Sequence, residues 1–233
     1  MEQDAVKTLV GKWAVEELVR DGMKLGLGTG STAIPAVRHI GALMRQGKLK
    51  GILAVPTSFQ TVMECENWGI PLFTLNSREI GGVLDLTIDG ADEVDGRNYC
   101  VKGGGGALLV EKITAYASRA YALVVDETKV VENLGLRFPV PIEVVPEARV
   151  TAGRALEALG AEVQIREALR KAGPVITEHG NILLDIRFKS PVDCAALEAE
   201  LNHVPGVVEN GFFTRLHPRV FVGRSGGTVE VRE

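Results

Sequence analysis

The chain has 233 residues, 45% of them hydrophobic and 24% charged, with 26 basic and 30 acidic side chains and a formal charge of −4. That length suits one large α/β domain or a domain with a smaller companion, and the composition excludes a disordered or fibrous protein. Near-balanced charge carries no nucleic-acid footprint, and the longest apolar runs fall far short of the roughly 20 residues a membrane span needs, so neither partner is expected.

The first residues, Met1 to Lys7, have neither a basic start nor an apolar block, which makes the cytoplasm the expected location. Cys65, Cys100 and Cys194 are odd in number and unclustered, so they read as reduced structural thiols. His39, His179, His203 and His217 show no metal-ligand spacing and read as surface or supporting residues.

In chain order, Val6, Leu9, Val10, Trp13, Ala14 and Leu18 recur at helical spacing and predict an amphipathic helix over 3–20. A short strand over 23–27, a glycine-and-hydroxyl loop over 28–32 and a helix over 33–46 follow as a strand-loop-helix unit. The alternation continues with a strand over 52–55, a helix over 58–68, strands over 71–75 and 83–88, a helix over 107–120 and a strand over 121–125. Strands alternating with helices predict an α/β fold with a Rossmann-like, doubly wound, mainly parallel sheet. Ligands of such sheets bind outside the carboxyl ends of the strands.

Beyond Asp126 the texture changes. Three prolines fall between Phe138 and Glu147, and the following pattern reads strand 140–145, helix 148–159, strands 161–165 and 182–188, helix 192–202 and strand 207–213. That order predicts a smaller ferredoxin-like α+β domain. The segment 219–231, around Ser225-Gly226-Gly227, reads as a hairpin that returns to the large domain. The expected division is 1–132 plus 214–233 for the Rossmann-like domain and 133–213 for the small one.

Three loops carry groups suited to chemistry. In Gly26-Leu27-Gly28-Thr29-Gly30-Ser31-Thr32, glycines allow close backbone approach, and helix-start N–H groups with the hydroxyls of Thr29, Ser31 and Thr32 can hold a phosphate. The spacing is neither a Walker loop nor a dinucleotide fingerprint. A plain glycine turn with a capping hydroxyl accounts for it equally well.

The second loop, Asp89-Gly90-Ala91-Asp92, follows an apolar strand and sets two carboxylates at the presumed ligand edge, where they can bind sugar hydroxyls and shuttle protons. An acidic surface turn or a metal site are the other readings, although EF-hand spacing is absent. In the third, Lys102 precedes Gly103, Gly104, Gly105 and Gly106, and Glu111 falls early in the helix that follows. Four glycines in a row imply a backbone wrapped closely around something, with Lys102 aimed at it. A flexible loop with a solvated Lys and Glu is the ordinary alternative.

Together these motifs resemble the type A ribose-5-phosphate isomerase family, over nearly the whole chain. The resemblance extends to Gln3, Asp4 and Lys7, to 126–129, to 138–146 and to Pro205-Gly206-Val207-Val208; one departure is Gly106, where the family often carries alanine. It implies interconversion of D-ribose 5-phosphate and D-ribulose 5-phosphate in the non-oxidative pentose phosphate pathway, without metal or cofactor, by a homodimer or larger homo-oligomer. By position it implies Glu111 as catalytic base and Asp89, Asp92 and Lys102 as further catalytic residues. Thr29, Gly30, Ser31, Thr32, Asp89, Gly90, Ala91, Asp92, Lys102, Gly103, Gly104, Gly105 and Lys129 would bind the substrate, with Lys7 a further candidate for its phosphate.

An aldose-ketose isomerisation of this kind passes through an enediolate. The expected division of work gives the carbon-bound proton to Glu111, charge stabilisation to Lys102 and the glycine N–H groups, ring opening and oxygen-proton transfer to Asp89, and hydroxyl binding to Asp92. A non-catalytic sugar-phosphate sensor of similar fold is the main alternative. A sugar-phosphate deaminase and an acyl-CoA transferase with a glutamate nucleophile lie further off.

Overall fold

A computed structural model describes residues 1–233. In chain order its elements are α1 (Gln3–Leu18), β1 (Lys24–Leu27), α2 (Ala33–Arg45), β2 (Leu53–Pro56), α3 (Phe59–Trp68), β3 (Leu84–Asp89), β4 (Glu93–Val94), β5 (Cys100–Val101), α4 (Leu108–Tyr116), β6 (Ser118–Asp126), β7 (Val140–Val144), α5 (Arg149–Ala158), β8 (Glu162–Ile165), β9 (Ile182–Arg187), α6 (Cys194–Leu201), β10 (Val207–Asn210), β11 (Phe212–Phe213), β12 (Arg219–Gly223) and β13 (Val229–Arg232). They fall into two compact units, Met1–Ala91 with Val110–Lys129 and Leu216–Glu233, and Asp92–Leu109 with Val130–Arg215.

The first unit is built on a six-stranded sheet of order β13-β12-β6-β3-β1-β2, parallel except for the antiparallel edge strand β13. Leu25 and Leu27 of β1 and Leu86 and Ile88 of β3 pack on one face with Val10 and Ala14 of α1 and Val37 and Ile40 of α2. On the opposite face α4 sits so near the sheet that a Cβ on Gly26 would lie 2.5 Å from the Thr114 methyl. From β1 the chain winds outward through α2 to β2, whereas β3 joins the other side of β1, so the winding reverses between β1 and β3. This is the point where doubly wound sheets hold their ligands.

In the second unit β7, α5, β8, β9, α6 and β10 form a four-stranded antiparallel sheet of order β10-β7-β9-β8 with two helices, the expected ferredoxin-like arrangement. Ile142, Val144, Leu184 and Ile186 pack there with Leu156 of α5 and Leu201 of α6. A second, three-stranded sheet of order β11-β5-β4 adds residues 92–109 to this unit, outside the span 133–213 expected for it.

Several expected elements differ. The strand over 71–75 reduces to one parallel bridge, Ala54 to Leu72, because the chain turns at Thr74–Ser77. The helix over 107–120 ends at Tyr116, and β6 starts at Ser118, whose hydroxyl donates to the Thr114 carbonyl at 2.9 Å. The strand over 207–213 is split at Gly211: β10 pairs with β7, β11 with β5. In α1 the buried residues are Val6, Val10, Gly11, Ala14 and Val15, whereas Trp13 is exposed and donates to Glu17. The helix turns this narrow face inward because Gly11 lets it approach α2: a Cβ there would meet the Ala36 nitrogen at 2.9 Å.

Candidate active site

The expected site residues divide between the units. Thr29 to Thr32, Asp89, Gly90, Ala91, Glu111 and Lys129 belong to the first; Asp92, Lys102 and Gly103 to Gly105 belong to the second.

In the first unit the carboxyl ends of β1 and β3 meet at the winding reversal. Asp89, fully buried at the end of β3, accepts hydrogen bonds at Oδ1 from the N–H groups of Thr29 at 3.1 Å and Gly90 at 2.7 Å. Gly28 must be glycine here, since a Cβ would lie 2.1 Å from that oxygen. The Thr29 hydroxyl donates to Ser58 at 2.6 Å and lies 2.7 Å from the Thr57 hydroxyl, while Gln60 accepts from the Gly30 N–H at 3.0 Å. Thr29 thus acts as a strut, locked from β2 and from Ser58, which caps α3 by accepting the Thr61 N–H.

Thr57, Ser58, Gln60 and Thr61 were not among the sequence candidates. Their signal was the cap pattern after a strand neighbouring β1 in a doubly wound order.

Thr32 precedes α2 without a side-chain cap bond, so the N–H groups at that helix start are not served by its own hydroxyl. Ser31 lines a cleft of about 320 Å³ with Lys7, Arg38 and Gln60. The Arg38 guanidinium is committed to Glu64 at 2.9 and 3.1 Å and holds that carboxyl below its ordinary value, whereas Lys7 pairs with Asp4 at a looser 3.6 Å. Lys129 closes the short 3-10 turn Glu127–Lys129 after β6, at the same edge of the sheet.

The acidic run around Asp89 separates by partner. Asp85 accepts from the Lys24 N–H and Arg119, Glu93 from the Gly135 and Phe138 N–H groups at 2.6 and 2.7 Å, and Asp95 from Arg97 and Tyr99. These three carboxylates tie backbone segments together, which leaves Asp89 and Asp92 as the pair beside glycine loops.

In the second unit Asp92 Oδ2 accepts the Gly104 N–H at 2.7 Å, and a Cβ on Gly104 would lie 2.5 Å from the other oxygen. Lys102, immediately after β5, is buried; its N–H donates to the Gly211 carbonyl at 2.9 Å and its ammonium lies 5.7 Å from the Phe213 ring centroid. The glycine turn is closed by a bond from the Gly106 N–H to the Gly103 carbonyl at 2.9 Å. Gly106 has φ +81°, a conformation glycine adopts without strain and alanine does not, so its departure from the family pattern matches the backbone here.

Glu111, in the first turn of α4, is buried on the same helix face as Leu108 and Ala115, while Ile113 and Tyr116 face outward. A carboxylate on the apolar side of a helix is not the solvated surface Glu of the ordinary alternative. No group of three or more His, Cys, Asp or Glu side chains is placed to hold a metal ion, and no helix is long and apolar enough to cross a membrane.

Residues 53–227 match the family model of ribose 5-phosphate isomerase A (phosphoriboisomerase A). The chain belongs to that family. It is 53% identical to the ribose-5-phosphate isomerase A of Treponema pallidum subsp. pallidum, an alignment covering 100% of this chain and 94% of the relative. The solved ribose 5-phosphate isomerase A of Methanocaldococcus jannaschii superposes with a TM-score of 0.92 at 42% identity, covering all of both chains. A solved D-ribose-5-phosphate isomerase in complex with phospho-erythronic acid gives a TM-score of 0.95 at 37% identity, again over 100% of each chain. The isomerase class and the mixed α/β architecture expected from the sequence are those of the ribose 5-phosphate isomerase A family.

Proposed function

We propose that the chain interconverts D-ribose 5-phosphate and D-ribulose 5-phosphate through an enediolate, with Glu111 moving the carbon-bound proton. The observation that carries this reading is the buried carboxylate of Glu111 in the first turn of α4, directly after the turn that Lys102 opens. Glu111 takes the proton from C2 of the open-chain aldose and returns it to C1 on the same face of the planar intermediate, while one proton moves from O2 to O1. Net composition is unchanged, so no outside oxidant or reductant is needed.

Negative charge develops on oxygen as the C2 proton leaves. The Lys102 ammonium and the N–H groups of the glycine turn stabilise it, a role in which one donor is typically worth about 3 kcal/mol. Asp89, held by Thr29 and Gly90, opens the furanose ring and moves the oxygen-bound proton. Asp92 fixes the glycine turn through Gly104 and holds substrate hydroxyls. The phosphate binds at Ser31, Thr32 and the start of α2, with Lys7 and Lys129 supplying positive charge.

Phospho-erythronic acid, bound in a solved relative, supports the enediolate. It is one carbon shorter than the pentose phosphate, and its carboxylate is a planar oxygen anion as the enediolate is. The reaction belongs to the non-oxidative pentose phosphate pathway in the cytoplasm, and the active form is a homodimer or larger homo-oligomer.

The test is a coupled assay of purified protein with ribose 5-phosphate in excess chelator. Ribulose 5-phosphate should form at the same rate with and without chelator. No turnover, or turnover abolished by chelator and restored by a divalent metal, contradicts the proposal.

A further inference from the structure

Arg166, the residue after β8, belongs to none of the sequence motifs. Its Nη1 donates to two successive carbonyls of the glycine turn, Gly103 at 2.9 Å and Gly104 at 3.1 Å. Its Nε donates to Asp185 Oδ2 at 2.9 Å and its Nη2 to Asp185 Oδ1, a two-pronged grip from a carboxylate fixed in β9. Both side chains are largely buried, with exposures of 16% and 20%. A bidentate arginine is rigid, so the guanidinium is an anchored clamp and not a passing surface contact.

A trans peptide unit is planar, with its C=O and N–H pointing in opposite directions. Arg166 holds the carbonyls of the Gly103-Gly104 and Gly104-Gly105 units, so the N–H groups of Gly104 and Gly105 both point away from it. The first of these is the N–H that Asp92 Oδ2 accepts at 2.7 Å. A single peptide unit is therefore gripped at both ends, by Arg166 and by Asp92. A run of four glycines has no preference of its own for this conformation and loses much entropy in holding it.

We propose that Arg166, anchored by Asp185, is a positioning residue for the isomerisation: it keeps the Gly104 N–H on Asp92 and sets the direction of the Gly105 N–H, the donor that the Lys102 turn offers to the developing oxyanion. The proposal rests on the reading of that turn as an oxyanion stabiliser. Arg166 acts through the turn and does not touch the reacting atoms. Because misplacing such donors affects the transition state more than substrate capture, the loss should fall on kcat.

The variants are Arg166→Ala, Arg166→Lys and the double variant Arg166→Ala with Asp185→Asn, which removes both charges of the pair and leaves no uncompensated buried carboxylate. Arg166→Ala should lose about 10²-fold in kcat with KM changed less than about threefold. Guanidinium at low millimolar concentration should restore about tenfold of that loss and leave the parent enzyme unaffected; a merely structural loss has no reason to respond. Arg166→Lys keeps the charge without the fork and should lose about tenfold. If Arg166→Ala fails to fold, the double variant carries the expectation of the kcat loss with KM little changed, but not of rescue, since without the Asp185 carboxylate nothing anchors added guanidinium.

A kcat within about threefold of the parent in the folded Arg166 variants, a loss confined to KM, or a loss in Arg166→Ala indifferent to guanidinium overturns the inference. Lys102→Met is measured alongside. Full activity in Lys102→Met overturns the reading of the turn and this inference with it, whereas loss in Lys102→Met together with full activity in the Arg166 variants overturns the inference alone.

Discussion

The backbone N–H of Thr29 donates to Oδ1 of Asp89 at 3.1 Å, so the loop after β1 and the carboxylate ending β3 are one rigid unit. The two strands flank the winding reversal of the sheet, and the bond needs Gly28 because no other residue leaves room for the carboxylate.

Gly28→Ala should therefore damage activity far more than its size suggests. Its Cβ would be placed 2.1 Å from Asp89 Oδ1, forcing the carboxylate or β1 to move. We expect a stability loss of about 1–3 kcal/mol from overpacking and a kcat loss of about 10²-fold from the displaced carboxylate. Thermal melting and steady-state kinetics on the same preparation measure both.

Asp126 supplies a pH-dependent part of the stability. Burial pushes its carboxyl up, but bonds from the Thr128 hydroxyl and N–H and from Gln3, with the charge of Lys129, outweigh burial and hold it below its ordinary 3.8. A carboxyl whose pKa is lower folded than unfolded stabilises the native state above the unfolded value and loses that contribution as pH falls through the folded one. Asp126→Asn should cost about 2 kcal/mol at neutral pH, the usual loss for hydrogen bonds to a charged acceptor. The gap between parent and variant in denaturant melts should narrow below pH 3.8. A gap constant down to pH ~2 would contradict this assignment.

How much of this was legible in the residues depends on the length of the signal. The long periodic segments α2, β3 and the β7 to β10 unit stood out because burial imposes an apolar pattern over whole elements. β4, β5 and β11 are two residues each, too short to alternate, and their pairing is set by partners distant in sequence. Among the candidate site residues, Asp89, Asp92, Lys102 and Glu111 were visible through their glycine neighbours and through family resemblance. Ser58 and Thr61 were not, because capping hydroxyls are common and only the packing of β2 beside β1 brings them to Thr29. Arg166 was hidden because its partners are backbone carbonyls, which leave no residue pattern to read.

The three cysteines should be silent in the folded protein. Burial, aided by the charges of Glu64 and Glu66, pushes the Cys65 thiol up to about 12; burial likewise pushes Cys194 up to about 11, and Cys100 is fully buried. Thiolate is the reactive form, so almost none is present at neutral pH. Iodoacetamide should leave the native protein unlabelled over the time in which it labels all three cysteines of the unfolded chain, as counted by intact mass. Rapid native labelling at Cys65 or Cys194 would refute this.

The central claim is that Glu111 carries the proton between C1 and C2. Its most direct measurement is the turnover of ribose 5-phosphate deuterated at C2 by the parent and by Glu111→Gln, with substrate affinity determined in parallel. Glutamine keeps the shape and cannot take the proton, so kcat should fall about 10³-fold with affinity nearly unchanged, and the residual activity should exchange no C2 deuterium with solvent. Near-parent turnover by Glu111→Gln, with the same deuterium exchange as the parent, would contradict the assignment of Glu111 as the base.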